Sequence, residues 1–208
     1  MRRAGLMLDA VLAGMFVSIG GMVFLSVESR VVGALMFTVG LFAICLRGLA
    51  LFTGRVCYAP DNDARYALSL PLIWLGNLVG AWGSAALIRL TRISVIAENA
   101  SVLCKVKLSD SLLSVFILAV FCNVLIYLAV DGYKRAPDAL GRYLALFFGV
   151  VVFILCGFEH CVANMFYISL AGMWSPRAVI FILVNTLGNA LGGILLPLAS
   201  RVNNPPRK

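Results

Sequence analysis

Six stretches of this chain are apolar over the length a helix needs to cross a bilayer, roughly 20 residues. They fall at 8–27, 31–52, 68–90, 111–130, 143–173 and 178–199. Segments this long and this evenly apolar read as helices, because lipid cannot satisfy an open backbone. Hydrophobic residues make up 62% of the 208 and charged ones 12%, against about 45–50% and about 25% in soluble domains. The expected fold is an all-α integral membrane protein with six transmembrane spans in one domain, 1–208. The net charge of +8 then belongs to loops beside anionic headgroups, and no nucleic-acid partner is expected. Met1-Arg2-Arg3 leads into the first run without a small-residue cleavage pattern, so no removable leader is expected.

The fifth run is too long for one straight crossing, and it contains the chain's single histidine. Glu159 and His160 lie in apolar sequence, with Asn164 one turn on and small residues Gly157, Ala163, Ser169 and Gly172 around them. An ionisable pair inside a membrane is costly and persists where it faces a cavity, a partner or a pathway. A helix break is expected here. A second is expected after the second run, where Gly48, Gly54 and Pro60 punctuate the chain and Arg47 and Thr53 are polar islands. Interrupted helices with polar groups at mid-membrane are how channels and transporters build permeation sites.

The third and sixth runs share a pattern: LGNLVGA at 75–81 returns as LGNALGG at 187–193. This divides the chain into half-repeats of about 8–90 and 109–200 with three spans each. Three is odd, so the second half is expected to cross upside down relative to the first, with spans 2 and 5 broken. Ten Lys and Arg fall in the loops and tails on the amino-terminal side and six on the other, which places both termini in the cytoplasm. Cys45, Cys57, Cys104, Cys122, Cys156 and Cys161 have no C-x-x-C spacing. With one histidine, neither a metal site, a cofactor nor a disulfide framework is expected. Asn99-Ala100-Ser101 fits a glycosylation sequon, a triplet common by chance.

The string GFEHCVANMF (157–166), with LFTG (51–54) and the two LGN segments, resembles the formate/nitrite transporter family of pentameric anion channels. The resemblance covers about 8–200 and implies an aquaporin-like protomer, a homopentamer and a place in the cell's inner (plasma) membrane. It implies that His160 is the central pore histidine and Thr53 its partner. Lys107 takes the place of the vestibule lysine, with a headgroup-facing lysine as the alternative, and Glu159 and Asn164 join the substrate-binding set, although both also suit bracing the helix break. The implied apolar constrictions are Phe37, Leu41 and Phe153 on one side of the histidine and Leu51, Phe52 and Ile126 on the other. Two positions depart from the family: Ala50 stands where an acid is usual, and Arg47 where a small residue is expected.

The expected activity is movement of a small monovalent weak-acid anion together with protons, with formate as the first candidate. A bare anion in an apolar ring costs several kcal/mol, whereas its conjugate acid crosses far more easily. His160 has the one side chain here with an ordinary pKa near neutrality, about 6.5, and is expected to donate a hydrogen bond or a proton to the anion. Nitrite and hydrosulfide fit the same mechanism. A non-transporting paralogue, motivated by Arg47 and Ala50, is the competing class. An enzyme is disfavoured, since no nucleophile–base pairing or cofactor loop is present.

Overall fold

Two glycines decide where the long helices stop. Gly48 has φ 66° and Gly157 φ 72°, a left-handed backbone that a Cβ disfavours. Each closes a helix in the same way. The Gly48 and Leu49 amides return to the Cys45 and Ile44 carbonyls, and those of Gly157 and Phe158 return to Ile154 and Phe153. The chain then runs extended for a few residues before a new helix begins.

The structure, a computed structural model, describes residues 3–203. Arg2, Arg207 and Lys208, which contribute to the charge bias above, lie outside the described residues. The helices are α1 (Arg3–Ser26), α2 (Arg30–Arg47), α3 (Phe52–Val56), α4 (Ala64–Arg89), α5 (Val95–Ser109), α6 (Leu112–Arg135), α7 (Ala139–Cys156), α8 (Cys161–Ala171) and α9 (Pro176–Asn203). Six of these, α1, α2, α4, α6, α7 and α9, are long and apolar enough to cross a membrane. The protein is an all-α membrane protein. Its six cysteines are free thiols.

The element order of α1–α4 returns in α6–α9. α1 packs on α2 and α4, and α6 packs on α7 and α9. Close backbone approach makes both packings possible. A Cβ on Gly80 would sit 2.0 Å from the Val11 carbonyl oxygen, and one on Gly192 would sit 2.1 Å from that of Val120. Both glycines belong to the repeated LGN segments, so the motif works partly through the absence of side chains.

Helix α5 was not expected. The sequence between the halves, with Glu98, Lys105 and Lys107, reads as a charged loop, but it forms a 15-residue helix packed on α8 and α1. The Asn99 amide donates to the Leu25 carbonyl at 2.9 Å, so the asparagine of the sequon serves to tie α5 to α1. This helix carries Lys107 to the site.

Candidate functional site

Helices α3 and α8 begin on the same two asparagines' terms. In the first half, Asn77 Oδ1 accepts the Phe52 amide at 2.8 Å while its Nδ2 donates to the carbonyls of Ala10 (2.7 Å) and Ala50 (2.9 Å). In the second half, Asn189 Oδ1 accepts the Cys161 amide at 2.9 Å, and its Nδ2 donates to Ala119 and Glu159, both at 2.8 Å. One amide side chain thus satisfies backbone groups freed by each interruption, which in a membrane have no water to turn to. Ala50 takes part through its backbone: its carbonyl does for the first half what that of Glu159 does for the second.

The two short helices meet at Thr53 and His160. His160 is the N-cap of α8, and its Nδ1 accepts the Ala163 amide at 3.2 Å. With Nδ1 serving as acceptor, the neutral ring carries its proton on Nε2. Nε2–H therefore donates to Thr53 Oγ1 at 2.9 Å. Thr53 Oγ1 has no other protein partner among the described residues, which leaves its own O–H as a spare donor. Both side chains are buried, His160 at 4% exposure and Thr53 at 0%. A second proton on the ring would aim Nδ1–H at the Ala163 N–H and break the cap.

Lys107 does not stand as a free vestibule cation. Its Nζ lies 2.6 Å from Glu159 Oε2, and both side chains are largely buried. The same carboxylate oxygen accepts from Asn164 Nδ2 at 2.6 Å, and Asn164 donates also to Asn185 Oδ1 at 2.8 Å. Asn185 closes the group by donating to the Glu159 carbonyl at 2.8 Å. Glu159 therefore braces the helix break and cancels the lysine's charge. Asn185 was not among the expected site residues; its one signal in the sequence is its polarity in an apolar run. Arg30, by position a loop charge, also belongs to the site. Arg30 Nη2 donates to the Leu155 carbonyl at the end of α7 at 2.9 Å and lines a cavity with Lys107, His160, Asn164 and Phe153. That cavity encloses about 250 Å³.

A second cavity, about 150 Å³, lies beside the start of α3, lined by Leu41, Leu51, Gly54, Arg55 and Lys134 among others. Of the expected constriction residues, Phe37 and Phe153 meet edge to face with centroids 6.0 Å apart, and Phe153 stacks on the His160 ring at 5.8 Å. Leu41 is not with them. Four residues carry it about 6 Å farther along α2, and it faces the same cavity as Leu51. Phe52 and Ile126 are buried and border neither cavity. All six positions are buried and apolar.

A family model described as "Formate/nitrite transporter" matches residues 1–201. The chain belongs to the formate/nitrite transporter family. Members of this family are transporters, and the chain is read as one of them, not as an enzyme. A "Probable formate transporter" of Methanothermobacter thermautotrophicus is 32% identical over 199 residues, covering 80% of this chain and 72% of that relative. "Nitrite transporter NirC" of Escherichia coli K12 is 28% identical over 214 residues, covering 91% of this chain and 79% of the relative. A solved structure described as "Pentameric formate channel with formate bound" superposes with a TM-score of 0.82 at 24% identity, covering 97% of both chains. That likeness carries the fold. Relatives named for formate and for nitrite stand at similar identities, so identity alone does not choose between the anions.

Proposed function

We propose that this formate/nitrite transporter family member conducts small monovalent weak-acid anions, formate first and nitrite or hydrosulfide by the same route, past the Thr53–His160 bond. The observation that carries the reading is that bond itself: a buried 2.9 Å contact joining the starts of two short helices, with apolar side chains around it. An anion leaving the Arg30 side finds the positive N-terminal end of α8 and the spare Thr53 O–H, polarised by the His160 Nε2–H that donates to the same oxygen. The low-dielectric surroundings of Phe37 and Phe153 penalise its charge and raise its affinity for a proton. It crosses as the neutral acid, or nearly so. The Nδ1 cap favours His160 as a hydrogen-bond donor and polariser of Thr53 over a proton carrier, so the proton comes with the substrate from water.

The working assembly is a homopentamer with a conduit in each protomer, in the cell's inner (plasma) membrane with both termini cytoplasmic. The two halves lie inverted, because each contains an odd number of crossings. Arg47, exposed in the last turn of α2, complements the negative end of that helix and requires no part in conduction.

Reconstituted into vesicles, the protein is expected to take up formate faster than protein-free vesicles, with nitrite and hydrosulfide also transported. Fluxes of the three anions measured under the same pH gradient rank them. Stable oligomers that move none of the three would replace this reading with a non-transporting membrane subunit.

A further inference from the structure

The two cavities differ in charge. In the one beside His160, Glu159 cancels Lys107 at 2.6 Å and Arg30 is the one cation left. The one beside α3 is lined by two cations, Arg55 and Lys134, and by no acidic side chain. Among the described residues neither cation is in an ion pair. Arg55 spends one donor on the Gly48 carbonyl, at 3.3 Å, and Lys134 Nζ rests 3.7 Å from the centroid of the Tyr58 ring. The neighbouring carboxylate, Asp131, is already engaged: it accepts from Arg135 Nε at 2.9 Å and from the Tyr58 hydroxyl at 3.3 Å.

Two unpaired cations on one half-enclosed wall attract a doubly charged anion more than a singly charged one, since each attraction scales with the ligand's charge. A guanidinium fork and an ammonium also present several donors that match the acceptors of a tetrahedral oxyanion. Position 55 corresponds in the second half to Asn164, because Phe52 and Cys161 open their helices equivalently. A cation at this position is thus a feature of one half only. We propose that Arg55 and Lys134 form a binding site for a small divalent oxyanion, of the sulfate or hydrogen phosphate kind, and that its occupancy obstructs the conduit from this end. The obstruction rests on the function proposed above; the binding does not.

The test uses the purified full-length protein. Its unfolding temperature is followed against sodium sulfate and, separately, sodium phosphate, with sodium gluconate at equal ionic strength as reference. A saturable rise is expected with the divalent anion, and comparing the two arms ranks sulfate against phosphate. Arg55→Asn and Lys134→Gln are each expected to lose that rise, and Lys134→Arg to keep it. General salting-out by sulfate remains in every variant, so the difference from wild type is what is read. In vesicles the same anion is expected to slow wild-type formate uptake over the same concentration range. A rise absent from wild type, or unchanged in both neutral variants, overturns the site. A charge-dependent rise in a protein that moves no formate keeps the site and removes the conduit. Binding without any slowing of a measurable formate flux removes the obstruction.

Discussion

Replacing His160 with asparagine is expected to reduce formate uptake by vesicles to near the protein-free background while leaving a folded oligomer. Asparagine is among the best N-cap residues, so its Oδ1 replaces Nδ1 as acceptor for the Ala163 amide and α8 still starts correctly. It is too short to reach Thr53 Oγ1, which His160 meets at 2.9 Å. The substitution therefore removes the donor at the junction and spares the cap. It also removes the ring that stacks on Phe153, so the assay pairs uptake with size-exclusion and thermal unfolding. Uptake within about twofold of wild type would make His160 a packing residue.

Lys107→Ala is expected to be among the most destabilising single substitutions in the chain. It leaves the Glu159 carboxylate, with its side chain only 5% exposed, without its cation. Breaking a buried ion pair on one side costs about 3–5 kcal/mol. Because the pair is shielded from solvent, the loss is expected to change little between low and high salt, unlike the effect of removing an exposed attracting charge. Adding Glu159→Gln is expected to restore most of the stability. The amide oxygen can still accept from Asn164, and no charge is left unpaired. A double-mutant cycle in thermal or denaturant unfolding measures the coupling. Additive losses would mean that the 2.6 Å contact contributes nothing as a pair.

The polar groups at the helix interruptions were legible because membrane sequence makes them conspicuous. Glu159, His160 and Asn164 stand out in an apolar run, Gly48 and Gly157 mark where helices stop, and the two LGN segments carry Asn77 and Asn189. What could not be read was pairing across the sequence. Lys107 and Glu159 are 52 residues apart, and nothing local says that they touch, so the lysine looked like a free cation. Its host helix was invisible for a related reason. With 15 residues and several charges, α5 is too short and too polar for a span, and its order comes from packing on α8 and α1. Arg30 read as a loop charge because its use, capping the end of α7, depends on tertiary contact.

In the proposed function, the substrate sheds its charge where Thr53 and His160 meet. The initial rate of formate uptake into wild-type vesicles, at fixed formate and zero membrane voltage, is to be followed from about pH 5 to about pH 8. If each formate crosses with a proton drawn from water, the rate rises as the external pH falls. A rate that ignores pH and follows an imposed voltage instead would mean that the bare anion passes with its charge intact.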